Sequence, residues 1–313
     1  MAHDHDQDGV SRRHALECML WAGTGVLWTV SGGVPKSLSL LGDAQAATPS
    51  SFTFLQISDS HVGFDKAANP NALGTLQEAI TKIKALPNKP AFMLHTGDIT
   101  HLSAPAQFDN AAQVIGSAGL DVHYVPGEHD ILDDTPGKSF LERYGKQTKG
   151  TGWYSFDQNG VHFIGLVNVV DLKAGSLGTL GAEQLAWLAD DVKGLSASTP
   201  IVVFAHIPLW TISKDWGWGT EDAEQALSTL KRFGSVTVLN GHIHQLMQKV
   251  EGQVSFYTAR STAFPQPAPG TAPAPLPMVV PADKLRSVLG IRSVVFAQGK
   301  EQLAVTDQAL ASS

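Results

Sequence analysis

His123-Tyr124-Val125-Pro126-Gly127-Glu128-His129-Asp130 reads as a short apolar strand that breaks at Pro-Gly and then delivers a carboxylate, an imidazole and a second carboxylate. Alone, such a stretch suits a metal site or a solvated loop equally, because Gly turns followed by polar residues serve both. The arrangement recurs along the chain. Asp59-Ser60-His61, Gly97-Asp98, His206 and Gly241-His242-Ile243-His244 each follow a short apolar run of strand type. Strand ends that repeatedly carry hard or borderline metal ligands decide how the whole chain is read.

Working outward, Phe52 to Ile57, Ala91 to His95 and His123 to Val125 are strand patterns, separated by helical patterns at Asn71 to Leu86 and Pro105 to Ala118. This β-α-β-α-β start implies a parallel sheet with helices packed on it and ligands at the carboxyl ends of the strands. Trp153 to Asp157 and Val161 to Val167 read as a hairpin through Gln158-Asn159-Gly160. Helix (181–192), strand (201–205), helix (221–233) and strand (236–239) follow, then antiparallel strands at 245–250, 253–257, 293–297 and 302–305. The expected class is α/β, a two-sheet β-sandwich flanked by helices, with the site along one edge.

The 313 residues, 43% apolar with a net charge of -7, fit one large globular domain behind an export segment. No basic stripe with interleaved aromatics is present, so a nucleic-acid partner is not expected. The single cysteine, Cys18, lies in the N-terminal segment after Glu17, which excludes a thiolate site in the mature chain and is no context for lipidation. Metals would be held by histidines and carboxylates alone.

Ser11-Arg12-Arg13-His14-Ala15-Leu16 precedes a moderately apolar run to Leu41 and the small-x-small site Ala44-Gln45-Ala46. Residues 1–46 resemble a twin-arginine signal peptide, departing from that pattern at Ala15 and Glu17; a general secretory signal or an uncleaved anchor is the competing reading. The expectation is an exported, periplasmic or secreted protein that meets the export machinery and keeps no stable membrane span after processing. Residues 47–313 form the remaining domain, interrupted by a Pro-rich stretch at 264–281 that reads as an extended surface connector or a substrate-covering flap.

Asp59 and His61, like His242 and His244, stand two apart, so on extended backbone each pair would leave one face and reach one ion. Asp98 after Gly97 has two oxygens and could bridge two ions. Together these residues resemble the calcineurin-like metallophosphoesterases, whose Asp-x-His, Gly-Asp, Gly-Asn-His-Asp/Glu, separate His and Gly-His-x-His pattern is matched over roughly residues 52 to 258. Gly181 to Leu188, with Gln184 and Trp187-Leu188, is similar to a helix of that family.

The resemblance implies that Asp59, His61, Asp98 and His244 hold one ion, and Asp98, Glu128, His206 and His242 the other. It makes His129 catalytic and Asp130 the carboxylate that orients it. Glu128 stands where the family usually has Asn. The implied cofactors are two divalent or mixed-valence ions of iron, manganese or zinc, and the implied reaction is hydrolysis of a small phosphate mono- or diester, as in cyclic nucleotide phosphodiesterases. Two such ions activate water and clamp a phosphoryl group.

A non-enzymatic interaction module on the same fold is the alternative, though such relatives tend to lose ligands that this chain keeps. His101 occupies the place of the tyrosine ligand of purple acid phosphatases and is either a substrate-side or a plain loop residue. Trp216 and Trp218 either stack on an aromatic group or pack on the protein itself. Arg260 is a candidate for phosphate contact, and His95, His123 and His162 are read as structural.

The export reading is tested by replacing Arg12 and Arg13 with Lys. The precursor is expected to stay in the cytoplasm; processing that survives the double change would indicate the general secretory route.

Overall fold

The computed structural model describes residues 26–31, 34–39, 51–133, 135–170, 172–173, 175–297 and 303–311. Arg12, Arg13, Cys18 and Ala44-Gln45-Ala46 lie outside them. The chain divides into two units, Met1–Pro49 and Ser50–Ser313. In the first, β1 (Val26–Ser31) pairs antiparallel with β2 (Val34–Ser39).

In the second unit the elements run β3 (Ser51–Ile57), α1 (Ala72–Lys84), β4 (Met93–His95), α2 (Pro105–Gly116), β5 (Val122–Tyr124), α3 (Lys138–Tyr144), β6 (Tyr154–Gln158), β7 (Val161–Gly165), α4 (Ala182–Val192), β8 (Ile201–Ala205), α5 (Ala223–Leu230), β9 (Val236–Asn240), β10 (Gln248–Glu251), β11 (Val254–Thr258), α6 (Leu285–Val288), β12 (Gly290–Ala297) and β13 (Ala304–Ala309). They form a five-stranded sheet, β13-β12-β3-β4-β5, and a six-stranded sheet, β10-β11-β9-β8-β7-β6.

Local chemistry explains the elements. Asn71 caps α1 by accepting from the Gly74 amide, Lys82 and Lys84 complement its C-terminal dipole, and Leu76, Ala79, Ile80 and Ile83 bury one face. Pro105 opens α2, where no amide donor is needed. β7, β8 and β9 are buried at every residue, as strands covered on both faces must be.

Between the sheets lies an aromatic layer. Phe163 of β7 meets Phe54 edge-on at 5.2 Å and Phe92 edge-on at 5.2 Å, and stacks on Phe156 at 4.8 Å. Helices α1, α2 and α3 cover the five-stranded sheet, and α4 and α5 the other. Gln56 of β3 donates to Thr96 Oγ1 (3.0 Å) and to the Asn240 carbonyl at the end of β9 (3.2 Å), which ties the two sheets together just beneath the ligand-bearing loops.

The α/β two-sheet architecture agrees with the sequence reading, with three differences. β11 is antiparallel to β10 but parallel to β9, so the second sheet holds four mutually parallel strands, β7, β8, β9 and β11. The short helices α3 and α6 carry too few periodic positions to be read from sequence. The final strand, expected at 302–305, is Ala304–Ala309.

Phe163 is fully buried at the centre of the inter-sheet layer. Phe163→Ala is expected to destabilise the fold by about 3–5 kcal/mol, read as a lowered denaturation midpoint at unchanged m-value. A loss below about 1 kcal/mol would mean that the sheets do not depend on this layer.

Candidate metal centre

Every ligand-bearing segment leaves the carboxyl end of a parallel strand: Asp59 and His61 after β3, Asp98 after β4, Glu128 after β5, His206 after β8, and His242 and His244 after β9. The backbone there is not extended. Asp59 (φ 54°), His61 (φ 40°), Asp98 (φ 52°), His242 (φ 69°) and His244 (φ 54°) all adopt left-handed conformations, which are uncommon for non-glycine residues. The expectation that each pair shares a face because the chain is extended is therefore corrected: the pairs converge through left-handed turns.

Hydrogen bonds between loops hold these turns. The amides of Asp59, His61 and Val62 donate to the carbonyls of Gly97 (3.0 Å), Asp98 (2.9 Å) and Ile99 (3.0 Å), extending the β3–β4 ladder beyond the strands. Glycine is required where loops press onto ligands. A Cβ on Gly127 would stand 2.1 Å from Asp98 Oδ1, and one on Gly241 would stand 2.0 Å from Ser58 Oγ.

Two groups of donor atoms result. In one, His61 Nε2 is 3.2 Å from His244 Nε2 and 3.4 Å from Asp98 Oδ2, and His244 Nε2 is 3.3 Å from Asp59 Oδ1. In the other, His206 Nε2 is 2.9 Å from Glu128 Oε2 and 3.5 Å from Asp98 Oδ2, and His242 Nδ1 is 3.0 Å from Glu128 Oε1. Asp98 Oδ2 thus faces both groups, while its Oδ1 accepts from the His129 amide at 2.9 Å.

These separations are those of neighbouring ligands around one ion with bonds near 2.0–2.2 Å, roughly 3 to 3.4 Å apart. The tautomers point the same way. His206 Nδ1 donates to the Thr96 carbonyl (2.7 Å) and His244 Nδ1 to the Phe264 carbonyl (2.6 Å), which turns each Nε2 toward the carboxylates. Carboxylates gathered around these nitrogens need a cation between them, either a proton on Nε2 or a metal ion. The residues fit the metals that histidine and carboxylate ligands select.

The site's own field follows from this crowding. Burial would raise the pKa of Asp59 and Glu128, but imidazoles outweigh it: His244 and His206 lower Asp59, and His242 and His206 hold Glu128 well below the carboxylate range. Burial opposes charge on His206, yet Asp98 and Glu128 lift it well above its ordinary value. His61 falls well below, through burial and then the neighbouring His129, His244 and His101.

Asp130 does not orient His129. Its carboxylate accepts from the amides of Ile99 (3.0 Å), Thr100 (2.8 Å) and Gly127 (3.0 Å) and from Thr100 Oγ1 (2.9 Å), so it braces the loops after β4 and β5. The imidazole is held instead by the His101 carbonyl, which accepts from His129 Nδ1 at 2.7 Å. The His101 ring stacks on His129 at 4.9 Å and lines the same pocket.

Arg260 is not brought to the site; it donates to the Ser287 carbonyl. Both Trp216 and Trp218 line the pocket, but Trp218 is buried in the protein while Trp216 is only half-buried. His95, its pKa lowered to about 3 by burial, bonds Ser60; His123 stacks on Phe156; His162 sits between Asp157 and Asp191.

Sequence reasoning missed Asn168, which holds the backbone after His206 by donating to the Ile207 carbonyl and accepting from its amide. It also missed Gln266, which donates to the His242 carbonyl at 3.2 Å. Nothing local distinguishes such residues from any loop amide, since their partners are distant in sequence.

Asp130→Ala is expected to leave three loop amides without their acceptor, at about 1–3 kcal/mol for each that stays buried, lowering the denaturation midpoint and the metal content together. Asp130→Asn, with one acceptor oxygen, should fall between. Unchanged stability with slowed turnover alone would return Asp130 to an orienting role.

The calcineurin-like phosphoesterase family pattern matches residues 52–246. The chain is 24% identical over 220 residues to a 3',5'-cyclic-nucleotide phosphodiesterase of Nostoc sp., covering 67% of this chain and 77% of the relative. It is 25% identical over 236 residues to the serine/threonine-protein phosphatase CPPED1 of Danio rerio, covering 66% and 74%. In fold it is similar to a dimetal phosphatase from Danio rerio, with a TM-score of 0.58 at 16% identity over 81% of this chain and 98% of the other. With the family pattern spanning the ligand loops from β3 through β9, the chain belongs to the calcineurin-like phosphoesterases and is a phosphoric ester hydrolase.

Proposed function

We propose that this chain hydrolyses phosphate mono- or diesters at a dinuclear metal centre, with Asp59, His61, Asp98 and His244 holding one ion and Asp98, Glu128, His206 and His242 the other. The observation that carries this is the place of Asp98 Oδ2, 3.4 Å from His61 Nε2 and 3.5 Å from His206 Nε2, between the two donor groups. Two ions of iron, manganese or zinc held there would supply Lewis-acid charge to a phosphoryl group and a nucleophile at neutral pH.

The chain's own residues then position and protonate. His129 is fixed through Nδ1 by the His101 carbonyl and lines the pocket, so its other nitrogen serves the substrate. Burial works against charge on this ring, but the Asp98 and Glu128 carboxylates and the His101 carbonyl outweigh it and raise its pKa. A charged imidazole beside the reacting phosphate stabilises its oxygens and can give a proton to the leaving group. Bound cations would offset part of that rise, since they screen the same carboxylates.

The two relatives by sequence are named for different phosphoesters, which supports a shared reaction more than a shared substrate. The interaction-module alternative is disfavoured because every proposed ligand position and His129 keep competent side chains. The Arg12-Arg13 segment supports export, and a twin-arginine route would carry the protein folded and metal-loaded. Among the described residues no helix is long and apolar enough to cross a membrane.

Elemental analysis of the mature protein is expected to find about two metal ions per chain, most of both lost in Asp98→Ala, the shared ligand. His129→Ala should keep the metal and lower kcat by roughly 10²- to 10⁴-fold. Well under one ion per metal-supplemented chain would refute the dinuclear centre, and an unchanged rate would remove His129 from the chemistry.

A further inference from the structure

Above the donor atoms opens a pocket of about 380 Å³. Besides the site's own histidines and carboxylates, its walls include Leu172, Trp216, Pro275, Leu276 and Pro277, drawn from three loops, and no lysine or arginine lines it among the described residues. Apart from the histidines, a multiply charged anion would find no cationic side chain here.

Trp216 is a preformed wall. Its ring meets buried Trp218 edge-on at 5.0 Å, and the loop is closed by Ile212 N–H donating to the Trp218 carbonyl (2.7 Å) and Trp218 N–H to the Ser213 carbonyl (2.9 Å). Gly217, at φ 70°, packs so tightly that a Cβ would lie 2.6 Å from the Ser176 carbonyl oxygen.

The Pro-rich segment supplies another wall. The Met278 amide donates to the Pro265 carbonyl at 2.8 Å, closing the segment into a loop, and Gln266 ties its base to the His242 carbonyl. Leu276, on this loop, lines the pocket while 63% exposed, an apolar side chain the protein itself does not cover.

Charge selects in the same direction. Three carboxylates among the proposed ligands, set against two divalent ions, leave one net positive charge, where a neutral residue at position 128 would leave two. A singly charged phosphodiester matches that balance better than a doubly charged monoester.

Resting on the phosphoesterase reading, we propose that this pocket selects monoanionic phosphodiesters bearing a flat apolar substituent, seated against Trp216 and Leu276, and that Glu128 sets the charge preference.

The test uses the metal-loaded mature protein with two readouts. By calorimetry, diphenyl phosphate should bind at least about 10-fold more tightly than dimethyl phosphate, the scale of one aromatic stacking contact. Trp216→Ala should collapse that ratio toward unity, and Trp216→Phe should retain most of it, which separates loss of the ring from loss of the fold. By turnover, kcat/KM should favour bis(4-nitrophenyl) phosphate over 4-nitrophenyl phosphate, and Glu128→Gln should move the ratio toward the monoester by about 5-fold or more.

Equal binding of the two diesters, a ratio unmoved by Trp216→Ala, a monoester preference in wild type, or a ratio unmoved by Glu128→Gln would each overturn the proposal while leaving phosphoester hydrolysis intact. No turnover of either nitrophenyl ester would overturn the phosphoesterase reading and this inference with it.

Discussion

The convergence of Asp59, Asp98 and Glu128 on the imidazoles of His61, His206, His242 and His244 is the constraint on which the rest of the structure depends. Gathering carboxylates in a site where Asp59 and Asp98 are buried is unfavourable unless positive charge lies among them. The histidines supply that charge only when protonated, whereas metal ions supply it permanently. The loops, the glycines and the carbonyls that accept from ring nitrogens all serve to hold this unfavourable assembly in place.

Holding it takes backbone strain. Five of the seven proposed ligands adopt positive φ, an arrangement that persists only where its surroundings over-determine it. Here the surroundings are the loop-to-loop hydrogen bonds that prolong the β3–β4 ladder, the Gln56 link between the sheets, and the rigid aromatic layer below. Two sheets packed face to face bring strand ends from separate βα units to one edge, so that β3, β4 and β5 supply one side of the site and β8 and β9 the other.

Adjacent residues in the Gly127-Glu128-His129-Asp130 turn take unlike roles because they face opposite ways. Glu128 points into the donor group, His129 lines the pocket, and Asp130 turns back to bind amides of its own and the neighbouring loop. The carboxylate that in sequence looks like an orienting partner is thus consumed by backbone donors. A main-chain carbonyl, whose residue type is irrelevant, holds the imidazole instead.

Much was legible in the sequence because it is written locally. Strand and helix periods, a glycine before each of Asp98, Glu128 and His242, and the kinds of ligand at strand ends depend only on neighbours along the chain, so the α/β class and the seven residues that converge were readable from them. The signs of long-range pairings were not: β11 lies parallel to β9 because of where the β10–β11 hairpin docks, which no local pattern states. Nor were the left-handed turns legible at Asp59, His61, Asp98, His242 and His244, since Asp and His, although more frequent there than most residues, adopt such backbone in only a small share of their occurrences. Only the tertiary structure separated Trp216 from Trp218, set Arg260 aside and exchanged Asp130 for the His101 carbonyl. In each case the deciding partner is distant in sequence or belongs to the main chain, and burial and hydrogen bonding, not residue identity, determine what the side chain does.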